Sequence, residues 1–107
     1  MANFGVGTLL EAVSKSASFS TDSLNVERDV IASLVLTTSA QSSLNVSVQL
    51  EGSIDGSTWL SVGSPVVITT NTSTLFSVTD NPYTHLRLTS TFTAGSATFL
   101  VKTHTKS

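Results

Sequence analysis

The chain contains no cysteine, which excludes a disulfide framework and any thiol chemistry. Charge is scarce as well. Charged residues make up 11% of the 107 positions, against about 25% in an average globular protein. Only five lysines and arginines are present and the net charge is −2, too little positive charge for the basic stripe that nucleic-acid backbones require. Three of the five, Arg87, Lys102 and Lys106, fall in the last stretch, where no acid follows Asp80; a mildly basic C-terminal hairpin accounts for them without an anion site. No apolar run approaches the roughly 20 residues of a membrane-spanning helix. The opening residues, Met1-Ala-Asn-Phe-Gly-Val-Gly7, lack the charged and apolar regions of a secretory leader, so synthesis in the cytoplasm is expected.

What is abundant is hydroxyl. The chain carries 19 serines and 17 threonines, with 39% apolar residues. Threonine favours strands, and serine favours turns and exposed strand faces. The apolar content excludes a polar disordered segment. At this length one domain with one modest core is expected, burying roughly 65% of the unfolded chain's surface.

Residues 1–8 carry two glycines and no periodic pattern, and are read as an N-terminal arm ordered against a partner. In residues 9–20, Leu9, Leu10, Val13 and Ala17 have near-helical spacing, but the serine-rich composition favours a strand, one open to exchange between copies. The pattern then becomes clean. Residues 29–38 read as a strand with apolar residues on both faces, and Gln41-Ser-Ser43 as a turn. Leu44, Val46, Val48 and Leu50 alternate with polar residues, the period of two that puts one face in a core. The Asp55-Gly56 pair predicts a two-residue hairpin with positive φ at both positions. The return strand carries Trp59, Gly63-Ser-Pro65 breaks it, and Val66 to Thr70 is a short strand. Asn71-Thr-Ser73, Asp80-Asn-Pro-Tyr83 and Ala94-Gly-Ser96 read as further turns. Leu86, Leu88 and Phe92 point inward, and Ala97, Phe99 and Val101 close the sheet. Turns every 8–12 residues predict an all-β fold, an antiparallel β-sandwich or jelly roll of about eight strands over residues 9–107.

No catalytic constellation rises above the background. The seven acids are Glu11, Asp22, Glu27, Asp29, Glu51, Asp55 and Asp80; Asp55 and Asp80 sit in turns, where aspartate is expected for backbone reasons, and no catalytic pair stands out. Serine is too common for a triad match to mean anything, and no G-x-S-x-G elbow occurs. His85 and His104 are placed on adjacent C-terminal strands without a third metal ligand, and no D-x-D spacing supports calcium at Asp55 or Asp80. The two N-x-[ST] triplets at Asn45 and Asn71 match the roughly two that this composition produces by chance. No enzyme, cofactor or metal is therefore expected. Trp59 is read as a core or interface residue in preference to a sugar-stacking platform, and Tyr83 as a loop-tip or rim residue.

The stretch Val48-Gln-Leu-Glu-Gly-Ser-Ile-Asp-Gly-Ser-Thr-Trp59-Leu-Ser-Val-Gly63 resembles a pattern of small bacteriophage virion accessory proteins: a strand ending Leu-Glu-Gly-Ser, an Asp-Gly turn and a tryptophan-bearing strand. Val78-Thr-Asp-Asn-Pro-Tyr83-Thr-His-Leu-Arg-Leu88 and Thr93-Ala-Gly-Ser-Ala97 are similar to the strands that close such domains. The resemblance covers roughly residues 44–105. It implies a capsid cement or decoration protein on the virion surface, made in the host cytoplasm, with the major capsid protein as partner. The alternative it leaves open is a tail, fibre or carbohydrate-binding adhesion module using Trp59 and Tyr83. Cement function needs no chemistry and gains from symmetric copies and from edges and arms that pair across subunits. A homo-oligomer, first a trimer, is expected, with Phe4, Val6, Leu9, Leu10, Trp59 and Tyr83 as partner-binding residues and with neither nucleic acid nor membrane bound.

Overall fold

A computed structural model describes residues 4–27 and 29–106, with side-chain surroundings from Gly7 onward. It holds seven strands: β1 (Phe4–Lys15), β2 (Phe19–Ser20), β3 (Leu24–Asn25), β4 (Ile31–Ser53), β5 (Leu60–Ile68), β6 (Thr72–Val78) and β7 (His85–Lys106). All pairings are antiparallel and all seven strands belong to one sheet, which does not close into a barrel. The all-β expectation therefore holds.

The strand count differs from the expected eight for a definite reason. β4 and β7 are 23 and 22 residues long, and they pair along their whole length, from Ile31 opposite Lys106 to Ser53 opposite His85. The sequence pattern presents each as two strands separated by a turn. The expected turns at Gln41-Ser-Ser43 and Ala94-Gly-Ser96 are bends inside continuous strands. Three register shifts cluster there, with Ala40, Ser43 and Gly95 in the left-handed region at φ 50°, 49° and 78°.

The bend is sharp. Phe92 and Phe99 lie on either side of it with ring centroids 5.6 Å apart, whereas seven residues of straight strand would span about 23 Å. Likewise, 23 extended residues would reach about 75 Å, yet the longest dimension of the molecule is 45 Å. Each half of the bent sheet has its own set of strands. β1 and β6 flank the half made by residues 31–39 and 97–106. β2, β3 and β5 flank the half made by residues 45–53 and 85–94.

Both halves feed one core. Ala32, Leu34 and Leu36 come from the first half of β4, and Val46, Val48 and Leu50 from the second. Leu86, Leu88, Phe99 and Val101 join them from β7, with Ile68, Phe76 and Val26. The inward alternation expected at Leu44, Val46, Val48 and Leu50 is observed.

Other local expectations are corrected. Residues 4–8 are not separate from the fold's pairing: they form the start of β1, with Phe4 opposite Lys106 and Thr8 opposite Lys102, so the expected boundary after Thr8 falls inside a strand. Residues 1–3 of the expected arm lie outside the described residues. The helix-or-strand ambiguity of residues 9–20 resolves into β1 and β2. Gly63-Ser-Pro65 does not end a strand. It is a bulge within β5, marked by the register shift between Val48 and Leu50 on β4, with Gly63 at φ 73°. The Gln49 amide fills it, donating to the carbonyls of Val62 and Gly63 at 3.1 and 3.3 Å.

Candidate functional site

Most of the chemically distinctive side chains gather at one end of the molecule, where the β4–β5 and β6–β7 loops meet β3. The β4–β5 loop is longer than the two-residue hairpin expected from its Asp-Gly pair. It runs from Ile54 to Trp59 between the two strands. Only Gly56 has positive φ, at 82°. Asp55 instead organises the loop through its side chain, accepting from the amides of Ser57 and Thr58 at 2.9 and 2.8 Å and from the Ser53 hydroxyl at 3.0 Å. The amides of Thr58 and Ser57, with the Ser53 hydroxyl, hold the Asp55 carboxyl well below the usual carboxylate range. Its role is that of a loop cap.

The β6–β7 loop is tied down by Asn81. Its side-chain amide donates to the carbonyls of Val26, Asp29 and Tyr83 at 3.0–3.1 Å, and its side-chain oxygen accepts from the Tyr83 amide at 3.0 Å. One asparagine thus pins the loop to the chain entering β4. Tyr83, expected at a loop tip or rim, is half-buried in this loop and packs against the core. Its ring lies over Gly52, where an added Cβ would come within 2.6 Å of the ring carbons. Gly52→Ala is therefore expected to push the Tyr83 ring aside and to cost about 1–3 kcal/mol. In a Tyr83→Leu background the cost should fall, a coupling that a double-mutant cycle by urea titration reads directly.

Trp59 is also half-buried, and the Arg87 guanidinium stacks on its ring at 4.2 Å from the centroid. Arg87 in turn donates to Glu51 at 2.8 Å, and the Thr89 hydroxyl donates to the same carboxylate oxygen at 2.6 Å. Burial pushes the Glu51 carboxyl up, but the hydrogen bonds from Thr89 and Arg87 and the charge of Arg87 outweigh it and leave it below its ordinary value. The result is a Trp59–Arg87–Glu51–Thr89 ladder that runs from the end of the β4–β5 loop across β7 and β4. Arg87 thereby covers one face of the indole. The partners of Trp59 are set by the cross-strand register of Glu51 with Arg87, which alternation alone does not specify.

The remaining expected partner residues are dispersed. Leu9 and Leu10 lie on β1, partly buried against the core. Phe4 and Val6 pair through β1 with Lys106 and His104, and their side chains lie outside those described. The six residues thus divide between β1, on one half of the sheet, and the loop end of the other half. His85 and His104, expected on adjacent strands, both lie on β7, 19 positions apart along it. Among the described residues no three histidine, aspartate or glutamate side chains converge as metal ligands.

No family model and no curated protein matches the chain. Solved structures do. Over 100% of this chain and 96% of the other, the fold is similar to the SPBc2 prophage-derived protein YomS, with TM-score 0.75 and 8% identity. It is also similar to a Bacillus endospore appendage protein of disulfide-linked pili (TM-score 0.54, 16% identity, 98% of this chain and 89% of that one). A third likeness is to VP2 of an infectious bursal disease virus subviral particle, with TM-score 0.61 and 14% identity. There 98% of this chain corresponds to only 32% of VP2. The shared feature is an all-β fold. The disulfide linkage of the pili has no counterpart in these 107 residues, which lack cysteine.

Proposed function

We propose that this protein is a structural component of a bacteriophage particle, binding the outside of the capsid as a decoration protein and stabilising it by repeated protein–protein contacts. The observation that carries this reading is the full-length likeness to a prophage-derived protein. The likenesses to an appendage protein of pili and to VP2 of a subviral particle add that similar folds occur in assembled structures. In this reading the two halves of the bent sheet are the layers of a β-sandwich. The protein is not an enzyme: its work is done by surface contact, and many weak contacts on a symmetric particle sum to firm attachment through effective concentration. The hydroxyl-rich, sparsely charged surface suits that role, since close contacts then require little desolvation of charge.

The test is immunogold labelling of particles purified from lysed cells that carry the gene, with capsid melting measured with and without the gene. Label over the capsid surface and a lower capsid melting temperature on deletion are expected. Label on the tail, or particles without label, overturns the decoration role.

A further inference from the structure

The molecule treats its sheet edges unequally. β1 carries Glu11 and Lys15, and Asp22 and Glu27 flank the short strands β2 and β3. Charges of this kind normally block the addition of foreign strands. The opposite side has none: from Gly56 to Thr79 the chain contains no aspartate, glutamate, lysine, arginine or histidine, and this segment supplies both β5 and β6. β5 is protected in another way, by the Gly63–Pro65 bulge and by a proline that cannot donate. β6 has neither device. It is seven residues of regular strand, it pairs with β4 in unbroken register from Val78 to Thr72, and no other described strand pairs with it.

Its outer face is also symmetric. Ser73, Leu75 and Ser77 point outward and all three are exposed, with Leu75 at 64%. Serine–leucine–serine reads the same in both directions. If a second β6 lies antiparallel about a two-fold axis at Leu75, the midpoint of the strand, Leu75 meets its own copy and Ser73 meets Ser77. Val35 lies opposite Leu75 on β4 and is half-buried. The pairing would therefore align a row of four apolar side chains, Val35 and Leu75 from each copy, across a continuous sheet.

We propose that the free edge of β6 is a self-association site, pairing with the β6 edge of a second copy in an isologous, antiparallel contact centred on Leu75. The partner is a second copy because the outward pattern is self-complementary and no charge on either edge opposes the approach. A seven-residue edge spans about 23 Å and buries less than the roughly 1,000 Å² of a stable interface. The contact is thus weak in free solution and gains strength where copies are held side by side. It differs in kind from the trimer expected from the sequence, and it stands or falls independently of capsid decoration.

Analytical ultracentrifugation of the full chain over a range of concentrations tests it, alone and as Leu75→Lys and Leu75→Glu. The wild type is expected to dimerise reversibly at high micromolar concentration. Each charged variant should weaken dimerisation by more than about tenfold, because like charges then face each other, while circular dichroism shows an unchanged fold. An equimolar mixture of the two variants should regain dimers, since lysine then meets glutamate across the axis; only a contact that sets position 75 against itself gives that rescue. A wild type that stays monomeric, charged variants that associate as well as the wild type, a mixture that remains monomeric, or a trimer indifferent to both substitutions overturns the proposal.

Discussion

Replacing Phe99 by alanine is expected to cost about 3–5 kcal/mol, a loss that lowers the thermal midpoint of a domain this size by roughly 15 °C or more. Phe99 has no exposed surface. Its ring meets Phe19 edge-on at 5.3 Å and Phe92 at 5.6 Å. The three rings come from different parts of the bent sheet: Phe99 from beyond the bend in β7, Phe92 from before it, and Phe19 from β2. Removing Phe99 therefore takes away the buried area of a large side chain and also the contact that holds one half of the sheet to the other. Aromatic pairs contribute about 0.5–1.5 kcal/mol beyond their area, so Phe19 and Phe92 lose packing too. Leu75→Ala, on the exposed face of β6, is the control and should change stability by less than about 0.5 kcal/mol in dilute solution. A Phe99→Ala loss below about 1 kcal/mol would show that the halves are not joined there.

The core was legible because burial in a sheet leaves a period of two, and the runs from Leu44 to Leu50 and from Leu86 to Leu88 carry it. The continuity of β4 and β7 was not legible. In β7 the inward positions are Leu86, Leu88, Ser90 and Phe92 before the bend, and Ala97, Phe99, Val101 and Thr103 after it. The parity of the alternation switches from even to odd across Ala94-Gly-Ser96. In sequence, such a switch looks the same as the end of one strand and the start of another. β4 keeps even parity from Thr38 to Val46 only because residues 39–46 contain one more residue than the segment opposite, with Ala40 and Ser43 in the left-handed region. Backbone conformation at an alanine leaves no composition signal.

The candidate site was legible in part for a related reason. Trp59 and Tyr83 stood out as rare residue types, but Arg87, Glu51 and Asn81 act through cross-strand register and loop geometry. The charge-free segment behind β5 and β6 could have been read from the sequence. Its meaning could not, since that depends on which strands end the sheet.

The second large effect is expected at the bend itself. Gly95 sits at φ 78°, and a Cβ added there would lie 2.3 Å from the Ser43 carbonyl oxygen and 2.4 Å from that of Ser42. Both obstacles are backbone, held by the pairing of β4 with β7, so no side-chain rotation relieves them. Gly95→Ala must move the strands apart at the point where the sheet folds over its core. The expected cost is at least about 2–3 kcal/mol, combining left-handed strain with displaced pairing. Gly63→Ala isolates the first of these. Gly63 has nearly the same backbone conformation, φ 73°, but nothing lies within 4 Å of its added Cβ, so only the conformational cost of about 1–2 kcal/mol remains. Urea titration of the two variants measures the difference. A clear excess for Gly95→Ala, together with amide-shift changes in residues 40–46, assigns the bend to the close approach of β7 and β4. Equal losses would mean that the bend tolerates a side chain and that the glycine serves only its own torsion angle.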